Sequence, residues 1–519
     1  MLALLALILT AAALGPLCAE CGAPRVVISG LGSVVGETVR YHREAYPALD
    51  TDVDIFRGIP YAETPARFAK PEPKQPWSGD LDATHFRSVC PQGITDTDED
   101  CLFLNIWVPN PKPHNAAVMV FIHGGAFLVG AGSYKNGLAL AAYHDVIVVT
   151  CNYRLGAFGF LSTGDCNLPG NYGMWDQVEA LKWVKEYIAD FGGDANRITI
   201  FGQSAGGASV GLLTLAKQSW GYYNRAIMQS GTATSPWAVL DPARAKSDAF
   251  KLGRKVDCFA LSSSALASCL KTKSPSEILN AANRILTAAF WKKNNIIPFV
   301  PTIDGEFLTD DPTELYKRGE FKHGDALMGT VRDEGTLIAF KAFWWCPCVW
   351  SAQPTLSEED FDAYLSSYVY IEHDQAMLDL IRDEYVDPST TNYFWPFSSL
   401  TGDEAMICPT DAVAKAFAAT GFNTYLYQMS HVSSHHSRPI VAHGDDLSYV
   451  FGAAFRKGLP PEISFTDEEI GMTVDTMQYW TNFAKTGNPN LESPNDDETT
   501  NSKTWHKFDS QTLYYKDLS

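Results

Sequence analysis

Residues 197–212 read RITIFGQSAGGASVGL, an apolar, β-branched run that passes through Gly202-Gln203-Ser204-Ala205-Gly206 straight into a stretch of small residues with helical character. A strand that becomes a helix within so few residues must bend sharply. The flanking glycines are needed because a side chain at either place would collide with the neighbouring strand and helix. The pattern G-x-S-x-G says little alone, since a chain with 39 glycines yields on the order of 0.2 such matches by chance. Between a strand and a helix it means more. The bend lifts the Ser204 hydroxyl out of the backbone, and the helix N-terminus aims its free N–H groups and positive dipole at an oxygen reacting there. Ser204 is the candidate nucleophile.

Two more runs, AVMVFIH (117–123) and VIVVTC (146–151), are continuously apolar and β-branched, as strands buried on both faces should be. A helix is predicted at roughly 176–191, where Val178, Leu181, Val184, Ile188 and Phe191 fall at i, i+3, i+4 spacing and Gly192-Gly193 ends the pattern. Strand, helix, strand with tight glycine turns predicts the α/β class, a mostly parallel central sheet with helices on both faces. The first strand ends in His123-Gly124-Gly125-Ala126. Glycines there let backbone N–H groups turn inward, so Gly124 and Gly125 with the amide of Ala205 form a candidate oxyanion hole. Donors of that kind are worth ~3–4 kcal/mol each to an acyl-transfer transition state.

Composition narrows the partners. The net charge of −20, from 40 basic and 60 acidic residues, argues against nucleic acid, which needs clustered Lys and Arg. Met1–Leu17 is almost wholly apolar and small residues follow to Ala19, which reads as a secretory leader over 1–19 despite lacking Lys or Arg ahead of the run. It is shorter than the roughly 20 residues of a spanning helix, and no later stretch is apolar enough, so no transmembrane anchor is expected. Residues 20–519 carry no repeat, linker or charge block and are expected to form one catalytic domain. Secretion permits disulfides among the eleven cysteines. Cys90 with Cys101 and Cys258 with Cys269 lie in polar segments and can each staple a local loop, while Cys151 ends a strand run and reads as a buried free thiol. Cys346-Pro-Cys348 lacks the second pair or flanking histidine of a zinc site, so no metal is expected.

Long blocks carry a resemblance. DVDIFRGIPYAE (52–63), EDCLFLNIWVP (99–109), NYRLGAFGFLSTGD (152–165), FGGDANRITIFGQSAGG (191–207), VPTIDGEFL (300–308), HGDDLSYVFG (443–452) and YWTNFAKTGNPN (479–490) make the chain similar to the type-B carboxylesterase family over nearly its whole length, most of all to its bile-salt-activated lipase branch. The resemblance implies an α/β-hydrolase fold and serine ester hydrolysis without a cofactor. It assigns the acid to Glu334, with adjacent Asp333 as the competing candidate, and the base to His443, with His435 and His436 as rivals outside the matching block. The order Ser, Glu, His is the one this fold uses. The two local cysteine pairs match two disulfides of the branch, and Ser235-Pro236-Trp237 resembles an acyl-pocket segment, which places Trp237 on the acyl side. The 90–101 loop has no aromatic residue, and Gln203 stands where cholinesterases and the lipase carry Glu. Both departures remove features that hold a quaternary ammonium. Small-molecule or lipid esters are thus the expected partners, with a bile salt or lipid interface left open. The aromatic groups Phe343-Trp344-Trp345 with Trp350 and Tyr393-Phe394-Trp395 with Phe397 are read as core packing rather than as an apolar entrance.

Overall fold

A computed structural model describes residues 23–519 apart from 95, 292–296, 344–345, 352, 367–373, 435–437, 457–463, 491–503 and 510. The proposed leader, His435, His436, Trp344 and Trp345 lie outside the described residues. Among those residues, ten strands form one sheet: β1 (Glu37–Arg43), β2 (Leu49–Pro60), β3 (Phe103–Asn110), β4 (Ala116–Ile122), β5 (Ile147–Cys151), β6 (Gly193–Gln203), β7 (Arg225–Gln229), β8 (Ala326–Val331), β9 (Thr424–Met429) and β10 (Lys516–Leu518). Their spatial order is β10-β9-β8-β7-β6-β4-β5-β3-β2-β1. Every pairing from β10 through to β5 is parallel, and the pairings of β5 with β3, β3 with β2 and β2 with β1 are antiparallel. Residues 25–28, 32–35 and 80–82 make a separate small sheet.

The period of two along β4 sorts its side chains between two cores. Val118, Val120 and Ile122 enter one cluster, and Ala117, Met119 and Phe121 enter the other. Helices α1 (Tyr172–Tyr187) and α2 (Ala205–Leu215) cover the first face through Leu181, Val184, Leu212 and Leu213. Further along the chain come α3 (Thr336–Ala342), α4 (Phe394–Gly402), α5 (Cys408–Ala418) and α6 (Asp467–Thr486). The last covers the opposite face with Met477, Trp480 and Phe483. A capping box starts α6, with Thr466 and Glu469 satisfying each other's backbone N–H, and Gly487 at φ +82 ends it. Both faces are therefore helix-covered, as the continuous apolar strands require.

The sequence expectations map closely. The predicted strands correspond to β4, β5 and β6. The predicted helix is α1, which starts four residues earlier, at Tyr172, and tightens into a 3-10 turn at Ile188–Phe191 before Gly192 at φ +90 turns the chain into β6. Cys90–Cys101 and Cys258–Cys269 are disulfides, and Cys151 is buried and free. Cys346 and Cys348 also pair. Phe343, Phe394 and Phe397 are fully buried, with Phe397 stacked edge-on against Phe343 and Tyr364 at 5.2 and 4.6 Å, so these rings are core. Trp395 departs from the core reading: it lies exposed, edge-on to the buried Phe394 at 5.2 Å.

Candidate active site

Ser204 sits between the last residue of β6 and the first of α2, with φ +60 and ψ −127. That backbone is strained for a residue with a β-carbon and is held because both sides are over-determined. The Ser204 N–H donates to Gln229 O at 2.8 Å, and its carbonyl accepts from Ala208 at 2.9 Å. The flanking glycines are sterically enforced. A β-carbon on Gly206 would lie 2.0 Å from Ile122 O, and one on Gly202 would lie 2.5 Å from the carbonyl of Gly206. β4, β6 and α2 therefore meet with no space for a methyl group, which is why a sharp bend forms here and nowhere looser.

The end of β4 brings the second element against the first. A β-carbon on Gly124 would be 2.4 Å from Gln203 O and 3.0 Å from Ser204 Cβ, so this loop lies directly on the bend. Gly125 takes φ +111, and its carbonyl accepts from Leu128 and Val129 at 2.9 and 3.0 Å, closing a tight turn beside the serine. His123 anchors the loop from below. Its ring stacks on Tyr153 with centroids 4.4 Å apart, and Nδ1 lies 2.8 Å from Gly124 O. The Tyr153 hydroxyl donates to His123 O at 2.9 Å. Burial pushes the His123 imidazole down to about 4, so it is neutral at ordinary pH. Ala205 is the first residue of α2, where N–H groups have no partner within the helix.

Glu334 follows β8, two strands from β6, and precedes α3. It is buried, and its two oxygens have separate tasks. Oε1 accepts the Val331 N–H at 2.9 Å, and Oε2 lies 2.6 Å from His443 Nδ1. The neighbouring Asp333 carboxylate is used elsewhere, accepting from Arg332 at 2.8 and 3.0 Å and from the Val441 amide at 2.8 Å. Of the assigned acid Glu334 and its competitor Asp333, Glu334 is the one that His443 reaches. Burial presses the His443 imidazole toward its neutral form, but the charge and hydrogen bond of Glu334, with the charges of Asp446 and Asp445, carry it above the ordinary histidine value.

Trp237 is buried, and its indole N–H donates to Ala405 O at 3.1 Å. Ala405 lies in the π-helical turn Asp403–Ile407 that joins α4 to α5. A β-carbon on Gly231 would be 2.4 Å from Ser204 O and 3.2 Å from the Trp237 ring, which places the indole close behind the bend.

Sequence reading missed one contact, that of Gln203 with His443, and one group, Asp446. Gln203 Nε2 lies 3.0 Å from His443 Nε2. Asp446, fully buried, accepts from Gln229 Nε2 and the Tyr427 hydroxyl, both at 2.7 Å, and burial raises its carboxyl above the usual range. The only signals were the adjacency of Gln203 to Ser204 and a carboxylate three residues after His443, and neither spacing specifies a contact.

A bend bearing a serine at the end of a central parallel strand, a glycine loop against it, and an imidazole on a buried carboxylate two strands away define the α/β-hydrolase class. A sequence profile of the carboxylesterase family matches residues 23–519. The chain belongs to that family. It is 36% identical to acetylcholinesterase of Bungarus fasciatus over 480 residues, covering 85% of this chain and 76% of that one. It is 39% identical to bile salt-activated lipase of Rattus norvegicus over 466 residues, covering 85% and 74%. It is 34% identical to neuroligin-3 of Mus musculus over 539 residues, covering 89% of this chain and 63% of that one. Membership and the cholinesterase and lipase relatives support carboxylic ester hydrolysis. Among the described residues, no helix is long and apolar enough to cross a membrane.

Proposed function

We propose that the chain is a secreted serine carboxylic ester hydrolase that cleaves apolar or lipid esters through an acyl-enzyme on Ser204. His443 takes the Ser204 proton as the hydroxyl attacks the ester carbonyl, and returns it to the departing alkoxide. Glu334 orients the imidazole and stabilises its charged form. The N–H groups of Gly124, Gly125 and Ala205 receive the oxyanion. Water then attacks the acyl-enzyme in a second cycle on the same groups. The observation that carries this reading is the 2.6 Å contact between His443 Nδ1 and Glu334, on a carboxylate fixed by the Val331 amide, with the other ring nitrogen 3.0 Å from the side chain of Gln203, the residue before a serine held at φ +60.

Apolar substrates fit the buried indole of Trp237 behind the bend and the lack of an aromatic residue between Cys90 and Cys101. Secretion rests on the apolar leader and on two local disulfides. The test is hydrolysis of chromogenic esters of rising acyl length, with and without bile salt, by the wild type and by Ser204→Ala. Turnover that Ser204→Ala abolishes supports the reading. Equal rates in both, or none in the wild type, overturn it in favour of a non-catalytic binding role.

A further inference from the structure

His443 carries its Nδ1 proton toward Glu334, because that nitrogen lies 2.6 Å from a carboxylate oxygen and must donate to it. In the neutral ring, Nε2 then holds a single lone pair and can only accept. The group 3.0 Å away is the side-chain amide nitrogen of Gln203, a donor. The lone pair with which the imidazole would take a proton from Ser204 is thus already engaged by the residue immediately before Ser204 in the chain. We propose that Gln203 is a positioning residue that caps the base: its amide holds His443 Nε2 in the resting enzyme and must swing away before Ser204 can hand over its proton. This rests on the hydrolase reading above.

The fold lets the side chain move while its backbone stays put. Gln203 is the last residue of β6, paired in parallel register with Gln229 of β7, and its carbonyl lies against Gly124. Only side-chain torsions remain free to carry the amide. It rests over Gly444, at φ +91, where a β-carbon would lie 3.5 Å from Nε2 and 3.7 Å from both Cδ and Oε1. That bare backbone face gives the amide a place beside the ring. In the observed pose the NH₂ donates to neutral Nε2, whereas a carboxylate at this place could serve only the charged ring.

A hydrogen bond to the neutral form disfavours protonation, so the cap holds the basicity of His443 below what its other neighbours impose. Those neighbours are Glu334 from the segment after β8, and Asp445 and Asp446 beyond the histidine. Asp446 is in turn held by Gln229 of β7 and Tyr427 of β9, with Lys135 within range of its charge. All of them stay constant when position 203 alone is changed.

The experiment uses the intact chain with ¹⁵N-labelled histidine, comparing wild type, Gln203→Leu and Gln203→Glu. Two quantities are read: the titration of the His443 ring, assigned against His443→Gln, and the pH dependence of Ser204 modification by a small neutral fluorophosphonate. Gln203→Leu, close in size but without a donor, is expected to move the ring titration up by roughly half to one pH unit. On the plateau it should quicken phosphonylation by about 2- to 10-fold, the range for releasing one neutral hydrogen bond. Gln203→Glu should move the titration up further. Unchanged titration in both variants, with wild-type labelling intact, overturns the cap and leaves the hydrolase standing. A ring titration that responds to both variants while Ser204 is never labelled supports the contact and overturns the hydrolase instead.

Discussion

The carboxylate of Glu334 divides its oxygens between the Val331 amide at 2.9 Å and His443 Nδ1 at 2.6 Å. One bond fixes the carboxylate to the end of β8, and the other passes that fixity to the imidazole. Glu334→Gln keeps the shape but can present an amide N–H to Nδ1 and favour the wrong tautomer, so kcat is expected to fall by about 10³- to 10⁴-fold. Asp333→Asn, whose partners are Arg332 and Val441, should cost far less in kcat and show mainly as a lower Tm. Steady-state kinetics and thermal melts of the two variants check this.

The same pair sets a pH dependence. Activity needs His443 neutral, so kcat/KM falls as pH drops through its titration. Glu334, Asp446 and Asp445 outweigh burial and raise that point, which puts the acid limb above the unperturbed histidine value of roughly 6.5. In Glu334→Gln the residual activity should show an acid limb at lower pH. A pH profile of both enzymes with one soluble ester decides it.

Acid stability should follow His123. Buried on Tyr153, it binds its proton only near pH 4 when folded, against about 6.5 unfolded. The unfolded chain therefore takes up the extra proton, and this contribution is complete above pH 6.5 and lost as pH falls through about 4. Its size is on the order of 3 kcal/mol. Denaturant unfolding at several pH values is expected to give a shallower acid loss in His123→Phe, whatever the absolute cost of that change.

Gly124→Ala tests the contact of the glycine loop with the bend. The added carbon would sit 2.4 Å from Gln203 O and 3.0 Å from Ser204 Cβ, so the loop must retreat and its N–H groups leave the oxyanion. Loss of one such donor costs about 10²- to 10³-fold in kcat. The chain should still fold, because the strain is local to the end of β4. Circular dichroism alongside ester kinetics separates the two effects.

Trp237→Ala should widen the acyl side. Removing a buried indole, with its bond to Ala405 O, is expected to cost roughly 3–5 kcal/mol of stability. The ratio of long- to short-chain acyl ester hydrolysis should rise at the same time. An unchanged chain-length profile would place the substrate's acyl group elsewhere.

Much of this was legible in the residue order where local physics decides the outcome. β4, β5 and the second half of β6, from Ile198 on, announce themselves as largely apolar runs because they are buried on both faces. The Ser204 bend is legible because glycine is the only residue that fits Gly202 and Gly206. The start of α1 at Tyr172 lies ahead of the expected one: Met174 falls on the stripe of Val178 and Leu181, but Gly173, a poor helix former, interrupts the helical signal there. The choice between Glu334 and Asp333 depends on which of two adjacent carboxylates Arg332 and Val441 occupy, and that is fixed only once Val441 comes against the residues that follow β8. The meeting of Gln203 with His443, 240 residues apart, leaves no trace in either segment alone. The same holds for the buried Asp446.

Labelling with a fluorophosphonate, followed by peptide mapping, tests the proposed nucleophile most directly. One adduct per chain on the peptide containing Ser204, lost in Ser204→Ala and slowed at least about 10²-fold in His443→Ala, is the predicted result. An unlabelled wild type, or an adduct on another residue that persists in Ser204→Ala, would contradict it.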